Sequence, residues 1–341
     1  MNVKTKINLP LAQEQPDDKI LDLTLRPGSF NEYVGQENIK ANLRVIIGAT
    51  KKRNEPMEHV LLHGPSGLGK TTLAYLIARE LGANLKTTSG TALEKTGDIG
   101  SILTSLNDGD VLFIDEVHRL NKSVEEVIYP AMENFKLDIV IGKGSSAKTL
   151  QIDLPRFTLI AATTKISLLS APFRSRFGAS FRLDFYKPTE IKEILSRSAR
   201  ILKVSIKPVA IEILAGASRS TPRVANRLLK RARDFAQMND IETVDIKNVK
   251  ESLKMLEIDE KGLEETDRKI LFTIADKFSG GPVGLKSIAA SISEEEGTIE
   301  DVYEPYLLQI GFLARTSKGR IITDHGLKHL NLKSKKDSFE F

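Results

Sequence analysis

Three short apolar runs punctuate the first half of the chain. His59-Val60-Leu61-Leu62-His63 leads into a glycine-rich turn, Val111-Leu112-Phe113-Ile114 ends in Asp115-Glu116, and Phe157-Thr158-Leu159-Ile160-Ala161-Ala162 ends in Thr163-Thr164. Short apolar runs bounded by polar or turn residues read as buried strands. Residues 71–81 (TTLAYLIAREL) instead carry apolar positions at helical spacing and stop at Gly82, which predicts a helix. Strand, helix and strand in succession predict an α/β domain with a parallel, doubly wound sheet. Residues 137–141 alternate apolar and polar and leave one apolar face. With residues 149–154 they read as a β-hairpin inserted before the third strand.

The pattern changes near residue 187. Lys187-Pro188-Thr189 opens a segment that reads as helical to about Glu257. Within it Thr221 can cap a helix whose first turn holds Pro222. Ile258-Asp259-Glu260-Lys261-Gly262 is a polar connector. Beyond it Thr266 can cap a helix over 267–278, which Ser279-Gly280-Gly281-Pro282 breaks, and further helices are expected over 285–291 and 298–309. Phe312-Leu313-Ala314-Arg315 and Arg320-Ile321-Ile322-Thr323 can pair as a hairpin with Thr316-Ser317-Lys318-Gly319 at its tip, completing a winged helix. The expected organisation is an α/β domain over 1–186 with a flexible N-terminal stretch of about twenty residues, an all-α domain over 187–257, a winged helix over 258–332 and a disordered tail over 333–341.

Composition narrows the class. At 341 residues the chain is too long for one ordinary core. The absence of cysteine excludes disulfides and Cys-ligated zinc or iron–sulfur sites. No apolar run is long enough to span a membrane, and the N-terminus lacks the apolar core of a secretory signal, so a cytoplasmic protein is expected. The net charge of +5 permits a nucleic-acid partner without arguing for one.

The turn after the first run supplies the chemistry. Gly64-Pro65-Ser66-Gly67-Leu68-Gly69-Lys70-Thr71 has the pattern G-x-x-x-x-G-K-[ST] of a nucleotide phosphate loop. Its glycines let backbone N–H groups approach phosphate oxygens, Lys70 offers a point charge to the β- and γ-phosphates, and Thr71 offers a hydroxyl to Mg²⁺. The following helix presents its positive N-terminus. Asp115 would hold the magnesium shell, and Glu116 would orient and polarise the attacking water. Thr163 or Thr164 would sense the γ-phosphate. Arg174 and Arg176, in Ala171-Pro172-Phe173-Arg174-Ser175-Arg176-Phe177-Gly178, belong either to a salt-bridged turn or to an arginine finger acting on a neighbour's γ-phosphate. A finger acting in trans makes the active site an interface and the protein a ring or filament. Arg223 sits near a helix N-terminus, as a second nucleotide sensor would, with Arg227, Lys230 and Arg231 beyond it; the alternative is a basic solvated face.

Asp115-Glu116-Val117-His118 also resembles the D-E-x-H box of two-lobed helicases, but the chain after residue 190 is mostly helical and provides no second recombinase-like lobe. In the winged helix, Glu294, Glu295, Glu296, Glu300, Asp301 and Glu304 make the start and surroundings of the last helix acidic, whereas Arg315, Lys318 and Arg320 make the wing basic. The wing is therefore expected to touch phosphates without reading bases, the alternative being a winged helix used for protein contacts.

Taken in order, these elements resemble the AAA+ ATPases and, within them, the RuvB family of motors that drive branch migration of Holliday junctions. The resemblance runs from about Leu25 to about Leu330. It rests on Leu25-Arg26-Pro27, Tyr33-Val34-Gly35-Gln36, Thr87-Thr88-Ser89-Gly90, Asp115-Glu116-Val117-His118-Arg119-Leu120, Tyr129-Pro130-Ala131-Met132-Glu133, Leu137-Asp138-Ile139, Asp267-Arg268-Lys269 and, most specifically, Gly280-Gly281-Pro282-Val283-Gly284-Leu285. It implies ATP and Mg²⁺ as cofactors. Leu25, Arg26, Tyr33 and Val34 would border the adenine; Gly67, Leu68, Gly69, Lys70, Thr71 and Thr72 would hold phosphates and metal. Tyr186 and Arg223 would complete the nucleotide site, and Arg176 rather than Arg174 would be the finger. Arg315 and Arg320 fall at family DNA-binding positions. The implied partners are the double-stranded arms of a four-way junction, a RuvA-type protein docked on the hairpin face of Leu137, Ile139 and Ile141, a RuvC-type resolvase, and further copies of the chain in a hexameric ring. Ser66 stands where the family has proline, and Lys165-Ile166-Ser167 where it has Arg-Ala-Gly; neither departure touches an inferred chemical role. Rival readings are a clamp loader or replication initiator, and a nucleotide-dependent binding switch, to which Glu116 and Arg176 would be superfluous.

Overall fold

The three apolar runs are parallel neighbours in one sheet. The computed structural model describes residues 16–141 and 148–332, with side chains over 21–138 and 150–332. Helix α1 (Pro16–Leu25) and helix α2 (Glu37–Arg53) precede strand β1 (Val60–His63), helix α3 (Lys70–Leu81), β2 (Leu85–Ser89), α4 (Thr96–Thr104), β3 (Val111–Asp115) and α5 (Lys122–Asn134). The hairpin β4 (Lys136–Ile141) and β5 (Lys148–Asp153) follows, then β6 (Thr158–Thr163), α6 (Ala171–Arg174) and β7 (Ala179–Arg182). Five strands form the sheet in the order β2-β3-β6-β1-β7, all parallel. β1, β3 and β6 lie inside it and are almost wholly buried, which is why they read as continuous apolar runs. β2 and β7 are partly exposed edges, and their mixed composition (LKTTS and ASFR) gave no such signal.

After β7 the chain is helical: α7 (Pro188–Ile201), α8 (Pro208–Gly216), α9 (Pro222–Met238) and α10 (Ile246–Met255). Next come α11 (Glu265–Asp276), α12 (Leu285–Ile292), α13 (Glu296–Thr298), a π turn over Ile299–Tyr303 and α14 (Glu304–Gln309). The wing strands β8 (Leu313–Thr316) and β9 (Gly319–Ile322) and a short α15 (Asp324–His329) end the described chain. Two expected caps differ. α11 starts before Thr266, with the Asp267 carboxylate accepting the Glu264 N–H at 2.9 Å. Thr221 does precede α9, but its hydroxyl donates back to the Ser218 carbonyl at 3.3 Å.

Two compact units result, residues 26–184 and a second made of α1 with the chain from Phe185 onward. α1 packs on α9; residues 1–15 and the tail 333–341 lie outside the described residues. The first unit's core gathers Leu61, Leu112, Ile114, Leu159 and Ala161 from the sheet with Ile128, Phe157 and Phe173 around them. The winged helix has its own core, including Ile270, Ile274, Ile288, Tyr303, Leu307 and Phe312. Among the described residues no helix is long and apolar enough to cross a membrane.

Candidate active site and nucleic-acid interface

The phosphate loop leaves the carboxyl end of β1, beside the carboxyl ends of its sheet neighbours, where ligands of open α/β sheets bind. Gly67 and Gly69 take φ of 78° and 96°. Gly64 has a further reason to be glycine: a Cβ there would lie 2.5 Å from the Leu183 carbonyl oxygen, so packing demands it independently of phosphate. Lys70 Nζ donates to the Gly64 and Pro65 carbonyls at 2.8 and 2.9 Å, which holds the ammonium over the loop. Leu68 is fully buried and anchors the turn, and Thr72 is half-buried in the first turn of α3. Burial, then the charges of Arg182 and Lys70, partly opposed by Asp184, hold the His63 imidazole below its ordinary pKa.

Beneath the loop the Thr71 hydroxyl donates to the Asp115 carboxylate at 3.0 Å. A hydroxyl and a carboxylate side by side are the hard oxygen donors Mg²⁺ prefers, with phosphates and water completing its shell. Glu116 follows at φ 47°, a left-handed conformation a non-glycine residue adopts only when its surroundings impose it. Its Oε2 accepts from the Thr164 hydroxyl at 3.1 Å and lies 3.2 Å from His118 Nδ1, which in turn is 2.9 Å from the Thr163 hydroxyl. The two candidate threonines differ in their contacts: at 0% exposure the Thr163 hydroxyl faces His118 and the Lys165 N–H, while Thr164 stands beside Glu116. Inward and outward positions alternate along a strand, and the apolar run does not say which parity its last residues take. His118, passed over as part of a motif, touches both groups.

Tyr33 packs on the loop with its hydroxyl 3.4 Å from the Leu68 carbonyl, Val34 is half-buried, and the Arg26 guanidinium stacks over Tyr75 at 5.1 Å. Lys40, which no motif singled out, is buried and donates to the Tyr33 carbonyl at 2.6 Å. Leu25, Tyr186 and Arg223 belong to the second unit. The Leu25 carbonyl accepts from Arg197 at 2.7 Å, the Tyr186 N–H donates to Ser220 at 3.0 Å, and Arg223 pairs with Asp22 at 3.4 Å. Arg176 is held by Glu133 at 3.0 Å, by the Pro172 carbonyl at 2.6 Å and over the Tyr129 ring at 4.2 Å.

The hairpin departs from expectation at Leu137. Leu137 is 2% exposed and sits in the sheet core with Ile152, its cross-strand partner, packed against that core. The root of the apolar face is therefore covered by the chain's own side chains, while Leu150, paired with Ile139, is 50% exposed. The side chains of Ile139 and Ile141 lie outside the described residues.

In the winged helix the expected basic wing and acidic helix face each other. Glu304, 2% exposed, accepts from Arg315 Nε and a terminal nitrogen at 3.2 and 2.8 Å, and from the corresponding Arg320 nitrogens at 3.0 and 3.1 Å. Glu300 adds a contact to Arg315 at 3.2 Å. Burial alone would raise the Glu304 carboxyl; the hydrogen bonds from Arg315 and Arg320 outweigh it and hold the group below the ordinary carboxylate value. Arg320 is thus mostly committed to the fold, Arg315 presents its outer edge, and Lys318 is exposed at the tip without an ion pair among the described residues. The 280–285 segment explains itself here. Val283 and Arg320 exchange backbone hydrogen bonds at 2.9 and 2.8 Å, and a Cβ on Gly281 would strike the Arg320 carbonyl at 2.4 Å. The segment clamps the root of the wing.

A parallel sheet with a phosphate loop, an Asp-Glu strand end beside it, a helical lid and a winged helix define an ATP hydrolase of the AAA+ class. Three family models match in series: the Holliday junction DNA helicase RuvB P-loop domain over residues 25–183, the RuvB AAA lid domain over 186–259 and the RuvB C-terminal winged helix domain over 260–331. The chain is 55% identical over 317 residues to the Holliday junction branch migration complex subunit RuvB of Clostridium kluyveri, a match spanning 93% of this chain and 90% of that protein. The solved Thermotoga maritima RuvB Holliday junction branch migration motor aligns with a TM-score of 0.83 at 51% identity, over 91% of this chain and 99% of that one. A mutant of the same protein gives 0.84 at 51%, over 90% and 99%. The chain belongs to the RuvB family.

Proposed function

We infer that this protein is the ATP-driven motor subunit that moves duplex DNA to promote Holliday junction branch migration in recombination and repair, acting in the cytoplasm with a RuvA-type junction-binding partner. The observation that carries the reading is the Thr71–Asp115 contact beneath Lys70 with Glu116 alongside, in a chain that also carries a winged helix. Thr71 and Asp115 would hold Mg²⁺, which would supply positive charge to neutralise the phosphates. Gly67, Leu68, Gly69, Lys70 and Thr72 bind the phosphate chain; Arg26, Tyr33 and Val34, with Leu25, Tyr186 and Arg223, take the remaining nucleotide contacts. Glu116 orients the attacking water, and Thr164 and His118 hold its carboxylate in place. Arg176 acts on the nucleotide of the next subunit in a hexameric ring. Arg315 and Lys318 grip phosphate without reading sequence, with Arg320 supporting the wing, and the exposed part of the hairpin near Leu150 receives the RuvA-type protein. A RuvC-type resolvase is a further partner of the assembled complex.

The test is ATP-driven dissociation of a synthetic four-way junction, with and without a RuvA-type partner, using Glu116→Gln as control. Movement that requires ATP, Glu116 and the partner is expected. Hydrolysis without junction movement in the presence of a cognate partner would turn the reading toward a clamp loader or initiator.

A further inference from the structure

An arginine four residues before Arg223 has a different kind of environment. Arg219 occupies the turn between α8 and α9 at φ 53°, and its side chain is only 2% exposed. Its guanidinium meets the fully buried Asp267 carboxylate at 2.5 Å, donates to the Gly262 and Val302 carbonyls at 3.4 and 3.3 Å, and stacks over the Tyr306 ring at 4.5 Å. Asp267 Oδ2 also accepts the Glu264 N–H that starts α11, while its Oδ1 has no hydrogen-bond partner among the described residues. The Tyr306 hydroxyl donates to the Lys261 carbonyl at 2.6 Å. Gly262 presses the connector onto the lid, where a Cβ would lie 2.3 Å from the Ala217 carbonyl. One guanidinium thereby joins the turn before α9, the connector, the first helix of the winged helix, and the π turn and α14 that carry the wing's acidic anchors.

A buried ion pair returns little net stability once its desolvation is counted; replacing such pairs with apolar residues is often neutral or better. What the pair does supply is one geometry, because a misplaced partner leaves a charge buried alone. The family models divide lid from winged helix between residues 259 and 260, yet the two pack as a single compact unit, and the Arg219–Asp267 pair lies across that division. We propose that Arg219 and Asp267 are a positioning pair that makes the lid turn bearing Arg223 and the winged helix one rigid lever, so that a change sensed at Arg223 moves the DNA-gripping wing. This rests on the reading of Arg223 as nucleotide sensor and of the wing as DNA contact.

The chain has no cysteine, so spin labels go only where placed. Met238→Cys at the exposed end of α9 and Lys286→Cys on α12 report the lid-to-wing distance in the full-length protein on a junction with its partner. The test variant is R219M/D267L, which leaves no buried charge; Arg219→Lys, which keeps the charge but loses the planar fork, is the second. The parent is expected to give one narrow distance distribution in ATP and in ADP. Both variants should broaden it, and should lower junction movement per ATP hydrolysed by about tenfold, the size of a typical coupling between sites, while ATP turnover changes far less. A narrow distribution and an unchanged ratio in both variants would overturn the proposal. If the parent hydrolyses ATP but moves no junction, the motor reading fails, and the distance distributions alone still decide whether the pair makes a rigid lever.

Discussion

At the scale of single residues, the buried polar groups carry the information that motifs do not. His59 reads as the flank of a strand, but its ring bridges two elements of the core. The Leu159 N–H can only donate, so Nδ1 accepts it at 2.9 Å, and Nε2 then donates to the Met132 carbonyl at 3.0 Å. Burial, only partly offset by the Met132 hydrogen bond, lowers the imidazole pKa from its ordinary 6.5. The folded state therefore resists a proton that the unfolded chain accepts. Stability contributed by neutral His59 is full above about 6.5 and is lost as pH falls from there toward the lowered folded value. His59→Gln is expected to flatten the dependence of Tm on pH between about pH 7 and pH 5, and to cost about 2 kcal/mol at neutral pH through the bonds and packing it disturbs. Thermal denaturation across that range checks both. An unchanged slope would show that other groups dominate the acid limb.

At the scale of elements, charge patterning was legible but its consequence was not. The acidic start of the last winged-helix segment and the basic wing were both visible in the sequence, and were expected to act separately, one repelling phosphate and the other binding it. Folding sets them against each other, because β8 and β9 return beside α14 and place two guanidinium groups on one buried carboxylate. Bound phosphate then competes with Glu300 for the Arg315 terminal nitrogen that also reaches Glu304. Glu300→Gln is expected to tighten duplex binding a few-fold at low salt and to steepen its salt dependence by about one counterion. Anisotropy titrations at several salt concentrations measure both quantities, and unchanged values would place the DNA contact away from this edge of the wing. By contrast, Arg320→Ala is expected to act on folding, costing the winged helix about 3 kcal/mol because Glu304 loses half its partners in a buried site; its unfolding transition, followed in the full-length protein, gives that value.

At the scale of the whole molecule, Arg176 decides between a self-contained enzyme and an assembly. Among the described residues its partners are Glu133, Pro172 and Tyr129, and they leave its side chain 21% exposed. Arg176→Ala is expected to leave nucleotide binding intact and to lower hydrolysis by about a thousandfold. Mixing that variant with Lys70→Ala subunits, each inactive alone, should restore turnover at the interfaces that combine an intact loop with an intact finger. A mixture as inactive as its components would remove Arg176 from the neighbour's site.

The parallel sheet, the phosphate loop, the Asp-Glu strand end and the three-part order of the chain were all legible in the amino-acid order alone. Each depends on local rules: apolar period, glycine at left-handed positions, and chemistry packed into a few consecutive residues. The sequence could not determine that Thr164 rather than Thr163 stands beside Glu116, that Leu137 is core, that Glu304 occupies the wing arginines, or that Arg219 binds the lid to the winged helix. Those outcomes join residues as far as 83 positions apart, and only the burial of one chain segment against another sets which polar group must find which partner.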